Sequence, residues 1–158
     1  MTKNILFLII ICFAFACTKE STTTNQINDP NPNLSEIPEI NLISISSNNV
    51  KSGVDSLSFV IDYQDGNGDL GTPDPDIPSI EIIDQRDTEI LVFNYHLQPL
   101  APIDSEIAIT GELNIVLDHT IILDDSNDSE TTTFTIRLKD RAGNWSNTVE
   151  TETITIVK

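Results

Sequence analysis

The sequence predicts an all-β domain built as an antiparallel two-sheet sandwich, and three observations carry that reading. Helix-favouring composition is missing after residue 16, where only three alanines remain while isoleucine, threonine and valine abound. Apolar and polar side chains alternate. In DSLSFVIDY, Leu57, Phe59, Ile61 and Tyr63 fall on one face and Ser56, Ser58 and Asp62 on the other, and Phe134, Ile136 and Leu138 alternate with Thr135 and Arg137 in TTFTIRLK. These short runs are separated by Gly, Pro, Asp and Asn clusters, the punctuation of a sandwich of immunoglobulin type.

Taken in order, the chain opens with Lys3 and then twelve apolar residues, Ile5 to Ala16. That run is too short to span a bilayer as a helix and reads as a signal peptide, residues 1–16. Ala14-Phe15-Ala16-Cys17 has the form of a bacterial lipobox, so Cys17 is the expected lipidation site and the first residue of a mature chain of 142 residues. Cys12 leaves with the leader, which rules out a disulfide within the mature chain. An anchor of two or three acyl chains is stable where one is marginal, since each buried CH₂ contributes about 0.8 kcal/mol. Residues 17–38, rich in Ser, Thr, Asn and Pro, read as a disordered tether, and residues 39–158 as one domain. Within it, strands are expected at about 40–46, 55–63, 79–84, 88–97, 105–109, 112–118, 120–124, 132–139 and 147–157, about seven to nine in all. The last changes phase, with Val149 at odd parity and Ile154 and Ile156 at even parity, which a β-bulge would reconcile.

Charge excludes one class of partner. The chain carries 8 basic and 25 acidic residues, and cleavage after Ala16 removes one base and no acid. Phosphate would be repelled by such a surface, so nucleic acid is not a partner. The expected partners are the membrane, through the N-terminal lipid, and an envelope protein or glycan. No nucleophile elbow, phosphate loop or H-E-x-x-H motif is present, and His96 and His119 lack a zinc spacing, so a non-catalytic role is expected.

One stretch has the chemistry of a cation site. In DGNGDLG, Asp65, Asn67 and Asp69 alternate with Gly66 and Gly68, and hard oxygens at this spacing begin many calcium loops. Asp74 and Asp76 are the candidates to complete the shell, with Asp62 nearby. Leu70 stands where an EF-hand needs glycine, and Pro73 and Pro75 stiffen the loop, so the EF-hand form is excluded. Two readings stay open: a looser Ca²⁺ site, or a glycine-rich turn in which Asx side chains bond the backbone. Asp140, Gly143 and Asn144 read as a structural turn fixing the last hairpin. Asp124, Asp125, Asp128 and Glu130 read as a solvated acidic loop. Tyr95 and Trp145 are the only candidates for a sugar-stacking platform, the basis of a carbohydrate-binding alternative. Asp55-Ser56-Leu57 has the form of a short bacterial O-glycosylation acceptor.

RLKDRAGNWSNTV, Arg137 to Val149, is similar to the last hairpin of bacterial immunoglobulin-like domains, which often carry a D-x-A-G-N turn. With DGNGDLG in an early loop and a lipobox in front, the chain resembles small surface or periplasmic lipoproteins of the Bacteroidetes type. The resemblance implies an immunoglobulin-like fold and an outer-membrane anchor. Lys19 and Glu20 loosely resemble the surface-export signal of that group, so both faces of the membrane stay open.

Overall fold

The computed structural model describes residues 34–158, which form ten strands and contain no helix. They are β1 Glu39–Ile45, β2 Asn49–Lys51, β3 Leu57–Asp65, β4 Ile80–Asp84, β5 Val92–Tyr95, β6 Ile109–Leu117, β7 Ser129–Thr132, β8 Phe134–Leu138, β9 Val149–Glu150 and β10 Ile154–Val157. One sheet has the order β1-β3-β6, a second β5-β4-β8-β9, and a third β2-β10-β7. The expected Cys17 and most of the expected tether lie outside the described residues.

Alternation builds the core. Leu57, Phe59 and Ile61 of β3, Ile115 and Leu117 of β6 and Ile40 of β1 turn inward from the first sheet. Ile80 and Ile82 of β4, Phe134, Ile136 and Leu138 of β8, and Val50, Ile154 and Ile156 meet them from the other side in one cluster. The Phe59 and Phe134 rings lie 5.6 Å apart, so the layers interlock there. Each such side chain contributes about 1.5–3 kcal/mol by burial, which is how a domain without a disulfide holds together.

The last two long runs each serve two sheets. β7 and β8 are separated only by Thr133, yet β7 pairs with β10 while β8 pairs with β4 and β9. At the corner Thr151 donates its N–H to the Phe134 carbonyl at 2.9 Å, and its Oγ1 accepts the Phe134 N–H at 3.0 Å. This corrects the expected β-bulge. Val149 faces Ile136 in one sheet and Ile154 faces Thr132 in another, so the change of parity marks a strand leaving one sheet for the next. β10 also pairs with β2 in parallel, a departure from a wholly antiparallel arrangement.

Other expected strands move for identifiable reasons. The segment 105–109 is not a strand, because the Ser105 N–H and Oγ both donate to the Pro102 carbonyl and close a turn. β6 instead starts at Ile109 and runs through Gly111, whose missing side chain leaves room for the Tyr63 ring; a Cβ there would lie 2.7 Å from the Tyr63 hydroxyl. The segment 120–124 is not a strand either. Its backbone groups are taken by side chains: Ile121 O by Arg86, Ile122 N–H by Ser52, Leu123 N–H by Glu130. Residues 88–91 are lost from the strand expected at 88–97 because Asp87 caps a turn, accepting the Glu89 and Ile90 N–H groups. At the other boundary, Ser35 O accepts the Gly66 N–H at 2.7 Å and Pro38 is buried, so the chain joins the fold before residue 39.

Candidate functional site

Asp65 ends β3, and the inward phase of that strand buries it completely. The chain then turns through three glycines that no other residue could replace without displacement. A Cβ on Gly66 would lie 2.5 Å from Leu34 O; Gly68 (φ 71°) and Gly71 (φ 79°) combine left-handed backbone with Cβ positions 2.3 Å from Ile107 O and 2.2 Å from Gln98 O. Leu70, at the position that disqualified an EF-hand, is fully buried and fastens the loop to the core. The turn aims Asp65 at its neighbour: Asp65 Oδ2 accepts the Asp69 N–H at 2.9 Å, and Asn67 Oδ1 lies 3.4 Å from the same nitrogen. The remaining oxygens, Asp65 Oδ1 and Asp69 Oδ1, are buried and have no hydrogen-bond partner.

The β8–β9 hairpin supplies a second arm. Leu70 and Asp140 form a bridge, Arg141 N–H donates to Asp69 O at 3.1 Å, and Ala142 N–H donates to Asp69 Oδ2 at 3.2 Å. Asp140 itself closes its own turn, accepting the Asn144 N–H at 2.7 Å and Asn144 Nδ2 at 2.8 Å, with Gly143 at φ 94°. The Arg141 guanidinium donates to Gly71 O at 2.9 Å and Gly68 O at 3.4 Å, clamping the glycine loop by its carbonyls.

Asp69 lies within charge range of both Asp65 and Asp140, while the Arg141 guanidinium is turned to the loop carbonyls. Burial pushes the Asp65 carboxyl above its ordinary value, and the Asp69 charge adds to the rise. Burial and Asp140 raise Asp69 in turn, partly offset by the Ala142 amide and Arg141. Desolvation without a matching positive charge disfavours the ionised form of both.

The other residues singled out in the sequence lie elsewhere or are engaged differently. Asp74 Oδ1 accepts the Asp76 N–H at 3.0 Å in an exposed turn, and no hydrogen bond joins either residue to Asp65 or Asp69. Among the described residues, no three His, Cys, Asp or Glu side chains stand together as a metal-holding group. Asp62 bonds Asn41 across the β1–β3 pair. His96 Nε2 lies 2.7 Å from Thr72 O, and His119 is exposed. Trp145 is half-buried with the Arg137 guanidinium 4.0 Å from its ring centroid and the Lys139 ammonium at 5.4 Å, so cations already stand over its ring. A cleft of about 340 Å³ beside this hairpin is lined by residues including Ile77, Pro78, Lys139 and Arg141. Asp55 accepts the Lys51 N–H, and Ser56 is exposed.

A second polar centre was not anticipated. Arg86 donates to Glu130 Oε2 at 2.6 Å, to Ile121 O at 2.8 Å and through Nε and Nη2 to Asp84, which is 1% exposed. Thr132 Oγ1 donates to Asp84 Oδ1 as well. The Glu130 carboxyl accepts the Asp124 and Leu123 amides, and these with Arg86 hold it down at about 2. Glu130 thus departs from the solvated acidic loop expected of its segment. The available signal was Arg86 itself, the sole basic residue between Lys51 and Arg137. Set against models of protein families, curated proteins and solved structures, the chain matches none.

Proposed function

We propose that this chain is a lipid-anchored, non-catalytic module of the bacterial cell envelope, an immunoglobulin-like sandwich that presents its loops and sheet edges to an envelope protein or glycan. The observation that carries the reading is Ala14-Phe15-Ala16-Cys17 at the end of twelve apolar residues and directly ahead of a polar segment. The fold is in keeping with it. Antiparallel sheets ordered β1-β3-β6 and β5-β4-β8-β9 are what a sandwich scaffold carrying binding surfaces on its loops requires. Within the described residues the chain enters the domain beside Gly66, where Ser35 O accepts the Gly66 N–H, and β5 and β6 stand at the ends of their sheets, where a partner strand or loop could dock.

Replacing Cys17 by alanine tests the anchor. The variant is expected to leave the membrane fraction for the soluble one; a variant that stays with the membrane would overturn the reading.

A further inference from the structure

We propose that the rim where the Asp65 loop meets the last hairpin binds one calcium ion. In this site Asp65 Oδ1 and Asp69 Oδ1 are the charged ligands, Asn67 Oδ1 and water serve as neutral ones, and Asp140 contributes its charge from the second arm. The proposal stands independently of the lipid anchor and narrows the ligand set by dropping Asp74 and Asp76.

The argument begins with unmet valence. A buried carboxylate oxygen without a partner costs roughly 1–3 kcal/mol or more, and two of them occur within one five-residue turn. Asp65 is fully buried, and its second oxygen is fixed on the Asp69 amide, so the free oxygen is held close to Asp69. Protein donors are already spent: Ala142 and Asn144 amides serve Asp69 Oδ2 and Asp140, and Arg141 is committed to the Gly68 and Gly71 carbonyls. Among the described residues the Asp65 and Asp69 carboxylates form no ion pair, and their two charges would match one divalent cation. Calcium suits the site better than magnesium, because its oxygen shell is irregular and the donors here come from a tight glycine loop with no octahedral symmetry. With two charged ligands, the affinity belongs with extracellular modules, about 10⁻⁴–10⁻³ M.

The full chain in detergent, melted in about 10 mM calcium and again in chelator, is expected to gain about 5–8 °C in calcium. Asp65→Asn should abolish the gain while melting in chelator no lower than the wild type, since it removes an uncompensated charge. Asp69→Asn carries the same test should Asp65→Asn fail to fold. The double variant Asp74→Asn/Asp76→Asn should keep the gain, and calorimetric titration should count one ion per wild-type chain. Identical melting in calcium and chelator would overturn the site. So would a gain that survives both single variants, or one lost on changing Asp74 and Asp76.

Discussion

Strand β8 runs between two polar centres of opposite design. At Phe134, where it begins, the buried Asp84 carboxylate is held by Arg86 and Thr132, and Glu130 closes the knot from the other side of the guanidinium. Beyond Leu138, where it ends, Asp140 stands near Asp69, and the one guanidinium at hand, Arg141, points its donors at backbone carbonyls instead. The first centre is a finished structural joint. The second is built with equal care, with three glycines fitted against neighbouring backbone, and still leaves two buried oxygens unmatched. The difference separates a group of charges satisfied within the chain from one whose buried oxygens the chain leaves without a partner, the gap the proposed calcium ion would fill. A buried charge is tolerable when its partner is in the chain, and costly when it is not.

Arg86→Ala strikes the finished end hardest. Removing the guanidinium leaves Asp84 buried and uncompensated, and should cost about 3–5 kcal/mol in denaturant unfolding. A loss below about 1 kcal/mol would mean that the two ends of β8 are energetically alike. On the other side, Gly71→Ala should cost about 3 kcal/mol, combining left-handed strain with a Cβ pressed on Gln98 O. Gly143→Ala, with equal backbone strain and open space around it, should cost only about 1–2 kcal/mol. Equal costs would show that the glycine loop is not clamped. The smallest effect is that of acid on Glu130. Its carboxyl lies at about 2 in the fold against an ordinary 4.5, so its contribution is present above pH 4.5 and is lost as the pH falls toward 2. Melting temperatures of the wild type and Glu130→Gln should therefore converge over that interval; a constant gap would remove Glu130 from the knot.

Strand alternation was legible because one face of each central strand packs on the core: β3, β4 and β8 show it residue by residue. What local pattern could not reveal was partnership. Gly111 reads as a break in a strand until Tyr63 is placed over it, and Ile121 to Leu123 read as a strand until Arg86, Ser52 and Glu130 are seen to take the backbone groups. The same holds for the site. Asp65, Asn67 and Asp69 are visible as a motif, whereas Asp140 lies seventy-five positions beyond Asp65 and is brought to the loop by the Leu70 bridge and the Arg141 and Ala142 amides. Asp74 and Asp76 have the right composition and register for a calcium loop. Their amides and the Asp74 carboxylate go instead to a local turn, which only the three-dimensional path of the chain decides.

The parallel pairing of β2 with β10 sets the order in which this domain can be completed. Asn49 to Lys51 find their partners at Thr155 to Val157, so the seam closes only when residues from both ends of the domain are present together. Ile154 and Ile156 reach the core through that same strand. A loop of about a hundred residues has to be gathered before the seam rewards it, which makes folding slow and late. A chain emerging from its N-terminus therefore cannot close this seam until β10 has been made, and Val50 waits until then for its neighbours Ile154 and Ile156.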